Sequence, residues 1–164
     1  MLRAVNVGGT GKLAMADLRS ICLDAGFTRV ETYIASGNVV LTSPASAASV
    51  KKTLEKRLLD YAGKPTGVII RTAREIAAVL AANPFQRGEP QHTYVVFLDA
   101  PPPRDALASA TGRVDEDMRL GKREIFITYP TGMGRSKLRI PAAKMGTARN
   151  LNTVAALVEL ASQG

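Results

Sequence analysis

The order of strand-like and helix-like patterns is the feature that most constrains the fold of this chain. Alternating or continuous short apolar segments indicate strands, and apolar residues recurring every three or four positions indicate helices. The predicted strands are Arg3–Val7, Val30–Ile34, Val39–Leu41 and Val68–Ile70, and the predicted helices have the apolar faces Met15, Leu18, Cys22, Ala25 and Val50, Leu54, Leu58, Tyr61. The order β-α-β-β-α-β predicts a ferredoxin-like unit, in which both helices pack on one face of an antiparallel sheet.

The second half of the chain partly repeats this scheme. A third helix, Arg74–Ala82, precedes the polar stretch Asn83–Gln91, which we expect to be a boundary between regions 1–83 and 92–164. The fold class is therefore α+β, with a ferredoxin-like unit followed by a second, related α/β half and a C-terminal helix. Beyond the boundary the pattern predicts a strand at Thr93–Leu98, a short helix at Arg104–Ala110, a hairpin of Glu116–Leu120 with Glu124–Tyr129, and a final helix with Val154, Leu157, Val158 and Ala161 on one side.

Positive charge is concentrated in one segment. The 164 residues have a net charge of +8. Residues 119–149 contain eight Lys or Arg and one acidic residue, Glu124, a net of +7. Such a segment attracts phosphates, nucleic acid or an acidic protein, and it is equally compatible with a solvated surface that only aids solubility. Within it, Lys137–Lys144 is predicted to be either a broken helix or an extended basic segment, because Pro141 interrupts it.

Composition narrows the cellular setting. No apolar run approaches the ~20 residues of a transmembrane helix, and the first ten residues lack the pattern of a secretory signal. The single cysteine, Cys22, excludes an intrachain disulfide. We therefore expect a cytoplasmic protein without a membrane partner, while its oligomeric state and any cofactor stay open.

A glycine-rich loop follows the first predicted strand. Gly8-Gly9-Thr10-Gly11-Lys12 resembles a phosphate-binding loop, but Asn6 and Leu13 occupy positions where the P-loop pattern requires Gly and Ser or Thr. Free backbone N–H groups at Gly8 and Gly9, the start of a helix and the charge of Lys12 would suit an anion. The alternative is a tight turn that needs glycine only for its backbone angles.

Two polar motifs have both a structural and a ligand-binding interpretation. Ser36 and Asn38 flank Gly37 at a predicted hairpin turn, and they would bind a ligand only if both projected from the end of a sheet. Arg149, Asn150, Asn152 and Thr153 precede the last helix. One of them is expected to cap that helix, and the remainder would either bind a phosphate or base edge or hold another loop.

The usual catalytic sets are missing from the sequence. Cys22 lies on the apolar face of the first helix and is expected to be buried and inert. His92 is the only histidine, so no zinc site is predicted. The carboxylates of residues 115–117 point alternately to opposite faces of a predicted strand, which makes them a poor acid–base pair. No catalytic residue or metal ligand is predicted, and whether the protein is an enzyme stays open.

Three motifs resemble one bacterial family. The segments Arg3–Gly9, Tyr33–Val40 and Thr147–Val154, with Ser136-Lys137-Leu138 between the last two, are similar to conserved patterns of the family called domain of unknown function 1697. The resemblance implies a pair of ferredoxin-like units. It implies no activity, because none is established as a property of that family.

These observations lead to one hypothesis with two alternatives. The leading hypothesis is a binding module for a phosphate-bearing ligand, either nucleic acid or a nucleotide. The first alternative is an enzyme that acts on a phosphorylated or acidic small molecule, and the second is a basic module that docks on an acidic protein. The candidate anion-binding residues are Gly8, Gly9, Lys12, Ser36, Asn38, Lys137, Arg139, Arg149, Asn150, Asn152 and Thr153.

Overall fold

The structure, a computed structural model, describes residues 1–6 and 12–164. Over these residues the chain is an α+β protein with four α-helices and two antiparallel sheets, of two and four strands. It divides into two units, residues 1–73 with 157–164 and residues 74–156. The predicted boundary at 83–91 stays a prediction. No helix within the described ranges is long and apolar enough to span a bilayer.

The first unit has helices and strands close to the predicted positions. Helix α1 (Met15–Asp24) buries Leu18 and Cys22, and helix α2 (Ala47–Ala62) buries Val50, Leu54 and Leu58. These residues recur at the predicted spacing of three or four positions. These side chains form one apolar core with residues of the adjoining hairpin. The elements are α1 (Met15–Asp24), β1 (Thr28–Tyr33), β2 (Asn38–Thr42) and α2 (Ala47–Ala62).

Local hydrogen bonds determine where these helices begin and end. The Ser46 hydroxyl accepts a bond from the Ser49 amide at 3.2 Å and caps α2. After α1, the Phe27 amide donates to the Cys22 carbonyl at 3.1 Å, a Schellman closure around Gly26. Gly26, with φ +87°, thus ends the helix.

Tyr61 departs from the predicted apolar face of α2. Its side chain is 48% exposed, and its hydroxyl donates to a carboxylate oxygen of Asp17 at 2.8 Å. A tyrosine presents a polar end that favours water or a hydrogen-bond partner, which is why spacing alone misplaced it in the core.

The first and last predicted strands of the ferredoxin-like pattern are reduced to a single bridge. Leu2 pairs with Val68 in an isolated antiparallel bridge. The Ile69 amide donates to the Met1 carbonyl at 2.9 Å, and the Leu2 amide donates to the Gly37 carbonyl at 2.7 Å. Neither Arg3–Asn6 nor 69–70 continues as a strand. Over the described residues the prediction of full strands at both places was therefore wrong, and the backbone pairing that does form lies at residues 1–3 and 67–69.

Gly37 is required where these segments meet. It has φ +85°, and a Cβ at this position would lie 2.9 Å from the Leu2 Cβ. Any larger residue would therefore clash and would also have an unfavourable backbone angle. The predicted turn is confirmed, with Tyr33 and Asn38 as the last paired residues of the β1–β2 hairpin.

The second unit contains a four-stranded sheet made of β3 (Thr93–Phe97), β4 (Asp117–Leu120), β5 (Glu124–Thr128) and β6 (Thr147–Asn150). The strand order is β4-β5-β3-β6, and every neighbouring pair is antiparallel. Strands β4 and β5 form the predicted hairpin through residues 121–123. Strand β6 was not predicted as a strand, because its four residues Thr-Ala-Arg-Asn have no apolar alternation. The elements are α3 (Ala73–Ala81), β3 (Thr93–Phe97), β4 (Asp117–Leu120), β5 (Glu124–Thr128), β6 (Thr147–Asn150) and α4 (Leu151–Ser162).

Both faces of this sheet are buried. One face contributes Val96, Ile125 and Ile127 to an apolar core that also contains Leu138 and Ile140. On the opposite face, side chains including Val95, Phe97 and Phe126 have at most 3% of their surface exposed. Strands buried on both faces read as continuous apolar runs, which explains why β3 and β5 were the strands most readily predicted.

The predicted helix at 104–110 is absent. The segment forms successive turns, in which the amides of Ala106, Ala108 and Ala110 each donate to a carbonyl three residues earlier. A helix nucleus is costly, and a seven-residue segment after three prolines has too few later hydrogen bonds to offset that cost. The prediction of a helix was therefore wrong, although the segment does contain consecutive turns.

We expect Leu18→Ala to lower the free energy of unfolding by about 2–5 kcal/mol, because it opens a cavity in a fully buried site. Leu23→Ala is the matched control on the same helix, since Leu23 is 41% exposed, and it should change stability by about 0.5 kcal/mol or less. Urea denaturation followed by circular dichroism measures both. Equal losses in the two variants would contradict the assigned core.

Candidate functional site

The predicted site residues fall in both units, and each group is described within its own unit. Gly8 and Gly9 lie outside the described residues. Lys12 is exposed. Next to it, the Asn6 side chain bonds both backbone groups of Leu13, accepting from its amide at 2.7 Å and donating to its carbonyl at 2.9 Å. The Asn6 amide group also donates to the Ala35 carbonyl at 2.7 Å, a structural role that the sequence did not reveal.

Ser36 and Asn38 make the contacts of a hairpin turn. Asn38 is fully buried. Its side-chain amide donates to the Tyr33 carbonyl and to the Ser36 hydroxyl, both at 3.0 Å. These bonds close the turn between β1 and β2. They agree with the interpretation of Ser36 and Asn38 as turn residues.

Arg149 is a buried arginine whose side chain lies along its own strand. It is 7% exposed, and its Nη1 donates to the Thr147 hydroxyl at 2.7 Å and to the Ala148 carbonyl at 2.8 Å. In the sheet it pairs with the buried Val95. Burial lowers the pKa of the guanidinium to about 10, so it stays charged at neutral pH while making contacts inside the protein.

Asn150 caps the last helix. It ends β6, and its side-chain oxygen accepts a bond from the Thr153 amide at 3.0 Å. Thr153 is itself buried, whereas Asn152 is exposed. The structure therefore separates the four polar residues of this motif: one arginine within the sheet, one cap, one buried threonine and one exposed asparagine.

Lys137 and Arg139 lie on a different feature, an extended segment whose charged side chains face solvent. We call Arg135, Lys137 and Arg139 the basic ridge; all three are exposed. Leu138 and Ile140, which alternate with them, are buried in the apolar core of the second unit. Arg135 is the last residue of a short 3-10 turn, Met133–Arg135, and the chain is extended from Ser136. The extended alternative predicted for Lys137–Lys144 therefore describes the first part of that segment.

Backbone contacts hold the ridge to a neighbouring loop. Arg139 and Thr111 form an isolated antiparallel bridge, with bonds of 2.8 and 2.9 Å between their amides and carbonyls. Gly112, with φ +71°, follows Thr111, and a Cβ there would clash with the Lys137 carbonyl. The loop therefore approaches the ridge as closely as a backbone can.

Within the described residues, no acidic side chain forms an ion pair with any of the three ridge cations. Other basic residues of the 119–149 segment do have acidic partners: Arg119 pairs with Asp117, and Arg123 pairs with Glu75 at 3.0 Å. The positive charge of the 119–149 segment is thus compensated at some residues and not at others. The exposed Lys122 and Lys144 likewise have no acidic partner among the described residues, and the ridge differs in having three such cations within five residues.

A buried carboxylate lies beneath the ridge. Glu116 is 2% exposed, and its carboxylate accepts bonds from the Ser136 hydroxyl and from the Val114 amide, the latter at 2.7 Å. The bond from Ser136 is the main reason that the pKa of Glu116 falls from 4.5 to about 2. Glu116, Arg135 and Ser136 were not among the predicted site residues. The sequence signal that could have identified this segment is the alternation of charged and apolar residues over 135–140.

The remaining reactive groups are held in structural positions. Cys22 is buried, and burial raises the pKa of its thiol to about 11, so the thiolate is scarce at neutral pH. Tyr129 packs edge-on against Tyr94 with ring centroids 5.5 Å apart, and burial raises its pKa to about 12. In the described part of the chain, no three His, Cys, Asp or Glu residues are grouped so that they could hold a metal ion.

This geometry defines an α+β protein of two units whose second unit presents an exposed basic ridge. The chain belongs to the family described as protein of unknown function (DUF1697), whose model matches residues 1–126. The resemblance seen in Arg3–Gly9 and Tyr33–Val40 is thereby confirmed. Thr147–Val154 lies beyond the matched range.

One solved structure shares the fold over nearly the whole chain. It is the conserved bacterial protein SP0830 from Streptococcus pneumoniae, which matches with a TM-score of 0.78 and 24% sequence identity over 99% of this chain and 96% of that chain. At this identity the likeness shows the fold alone. No curated protein matches the chain.

We expect Asn150→Ala to lower the free energy of unfolding by about 0.5–2 kcal/mol, the usual cost of losing an N-cap. Asn150→Asp keeps the acceptor and should retain most of the stability. Asn152→Ala is the matched control, because Asn152 is exposed and two residues away. Thermal or urea unfolding measures all three. Equal effects of Asn150→Ala and Asn152→Ala would contradict the capping role.

Lowering the pH from about 4.5 to about 2 should destabilise the wild type partly through Glu116. In this window the unfolded chain binds a proton at Glu116 that the folded chain does not, so stability falls as the pH falls. Glu116→Gln should remove that component, and Ser136→Ala should shrink it by raising the pKa of Glu116. Melting temperatures measured across the window test this. Identical pH dependence in wild type and Glu116→Gln would refute the role of Glu116.

Proposed function

We propose that this protein binds the phosphate backbone of a nucleic acid through the basic ridge. The single observation on which the proposal rests is the exposure of Arg135, Lys137 and Arg139 without acidic partners on a segment that is anchored in the core. Exposed cations that have no acidic partner attract phosphates, and binding then releases the counterions that surround a polyanion.

The arrangement of Lys137 and Arg139 favours a polyanion over a small phosphate compound. They are two residues apart on an extended stretch, where such side chains point the same way and are about 6.6 Å apart along the chain, and Arg135 ends the 3-10 turn that precedes this stretch. Charges placed in a row suit a ligand with repeated phosphates, whereas a small ligand needs donors that converge in a pocket. Lys137 and Arg139 therefore take the leading role among the residues named from the sequence.

Sequence-independent recognition is part of this proposal. Ferredoxin-like sheets that bind RNA stack bases on exposed aromatic rings, but here Phe97, Phe126 and Tyr129 are buried. Contacts to phosphates alone position a nucleic acid without reading its bases. We thus expect little preference for one sequence over another.

We also infer that each unit is a modified ferredoxin-like fold. The order β4-β5-β3-β6 corresponds to the ferredoxin-like order 2-3-1-4, with turns and 3-10 segments in place of the two helices. In the first unit, the bonds of Leu2 to Val68 and to Gly37 lie where the first strand of such a sheet would pair with its neighbours. The free, buried thiol of Cys22 is consistent with a cytoplasmic location, which we include in the proposal.

The alternative of an enzyme for a phosphorylated small molecule lacks a base. Glu116 is the carboxylate best placed to act on Ser136, but a pKa of about 2 makes it a weak proton acceptor. Arg149 and Asn150, which that alternative would use to orient a substrate, already contact protein groups. We therefore treat small-molecule binding, and docking on an acidic protein, as outcomes of the test below.

We expect the protein to bind single-stranded DNA or RNA. A plot of the logarithm of the association constant against the logarithm of salt concentration should have a slope of about −2, the value for three neutralised phosphates. The triple variant Arg135→Ala, Lys137→Ala and Arg139→Ala should lose most of that slope, roughly 0.7 of a unit for each removed cation. Fluorescence anisotropy with labelled oligonucleotides of unrelated sequence measures both values.

The control removes the same charge elsewhere, as Lys52→Ala, Lys56→Ala and Arg57→Ala on α2. It should keep most of the affinity and the slope. Equal losses in both triple variants would show that overall charge, not the ridge, attracts the ligand. Binding of an acidic peptide or of a single nucleotide in preference to oligonucleotides would contradict the proposal and favour one of the alternatives.

A further inference from the structure

The carboxylate of Glu116 joins two parts of the second unit. It accepts bonds from the Ser136 hydroxyl and the Val114 amide, and the Ser136 oxygen in turn accepts a bond from the Leu138 amide at 3.1 Å. The backbone carbonyl of Glu116 also accepts a bond from Arg113 Nε at 2.7 Å. A loop that precedes β4 is thus connected through one buried side chain to the segment that bears the ridge.

Ser136 occupies a decisive place within that segment. It separates Arg135 from Lys137, and it follows the 3-10 turn at the point where the chain becomes extended, with φ −70° and ψ 138°. From Leu138 onward the segment is held by core packing and by the Thr111 bridge. Before Leu138, the bond from Ser136 to Glu116 is the side-chain contact that fixes the direction of the chain.

The Glu116 carboxylate is itself held in place by the protein. It lies one hydrogen bond away from Ser136, the residue between two ridge cations, and only 2% of Glu116 is exposed. Its other oxygen accepts the bond from the Val114 amide at 2.7 Å. The Ser136 hydroxyl therefore donates to a carboxylate that is already bonded on its other side.

We propose that Glu116, acting through Ser136, is a positioning residue that aligns Arg135 and Lys137 for contact with successive phosphates. This inference rests on the proposed function of the ridge. Glu116 itself does not touch the ligand; it holds the backbone from which the two cations project. Loss of the Ser136 hydroxyl should then weaken phosphate binding although no cation has been removed.

The test compares Ser136→Ala with Thr131→Ala. Thr131 donates its hydroxyl to an Asp115 carboxylate oxygen at 3.0 Å, so the control removes the same kind of bond from a nearby exposed loop. Two quantities are measured: amide hydrogen exchange over residues 134–139 in the free protein, and affinity for a single-stranded oligonucleotide as a function of salt. Ser136→Thr, which restores a hydroxyl, serves as the rescue variant.

We expect Ser136→Ala to speed exchange in 134–139, to weaken binding roughly tenfold, as loss of a hydrogen bond to a charged group would, and to lower the salt slope by about one. Thr131→Ala should resemble wild type, and Ser136→Thr should recover most of the binding. Glu116→Gln combined with Ser136→Ala should be little worse than Ser136→Ala alone, because both changes act on one contact.

The outcomes separate the two proposals. If wild type binds with the expected slope and Ser136→Ala binds equally well, the positioning role is wrong and the ridge proposal stands. Faster exchange without any change in affinity overturns the positioning role in the same way. If wild type binds no oligonucleotide, the proposed function fails and the positioning role fails with it, even where exchange over 134–139 responds to Ser136→Ala.

Discussion

The burial of Leu138 and Ile140 in the core of the second unit determines how the basic segment is displayed. Each fully buried side chain of this kind contributes about 1.5–3 kcal/mol. Two unit charges about 6.6 Å apart, the two-residue spacing of an extended chain, repel each other in water by about 0.6 kcal/mol. Apolar burial therefore outweighs the repulsion between neighbouring cations, and the alternation leaves Lys137 and Arg139 no orientation except toward solvent.

Much of the fold follows from local patterns in the sequence. The helices and the two hairpins were predictable because their buried residues recur with the period of a helix or form continuous apolar strands, as in β3 and β5. The family was predictable from short motifs. The predictions that failed concern contacts between residues distant in sequence. Whether Arg3–Asn6 forms a strand depends on its pairing with residues 37 and 67–69. No local pattern in the sequence indicates how many of those pairs will form.

The candidate site was predictable only as a region of charge. Sequence reasoning treated Arg139 and Arg149 alike, because both are arginines in the same basic segment. The structure separates them by their neighbours, since Arg139 alternates with apolar residues that are anchored in the core and Arg149 faces into a buried layer beside Val95. Because strand β6 was not predicted, there was no basis in the sequence for the inward orientation of Arg149. A cap of the last helix was expected, but the sequence did not say that Asn150 would be that cap.

The two arginine environments also show how a buried charge differs from an exposed one. Arg149 meets its hydrogen-bonding needs with nearby protein oxygens such as Thr147 and Ala148, and a ligand would have to displace those bonds to reach it. The ridge cations are exposed and have no acidic partner among the described residues. A polyanion that reached them would release counterions without breaking an ion pair of the protein. Charge density in a sequence therefore says little about availability, because packing decides which cations of a basic segment turn inward, as Arg149 does, and which stay exposed, as Lys137 and Arg139 do.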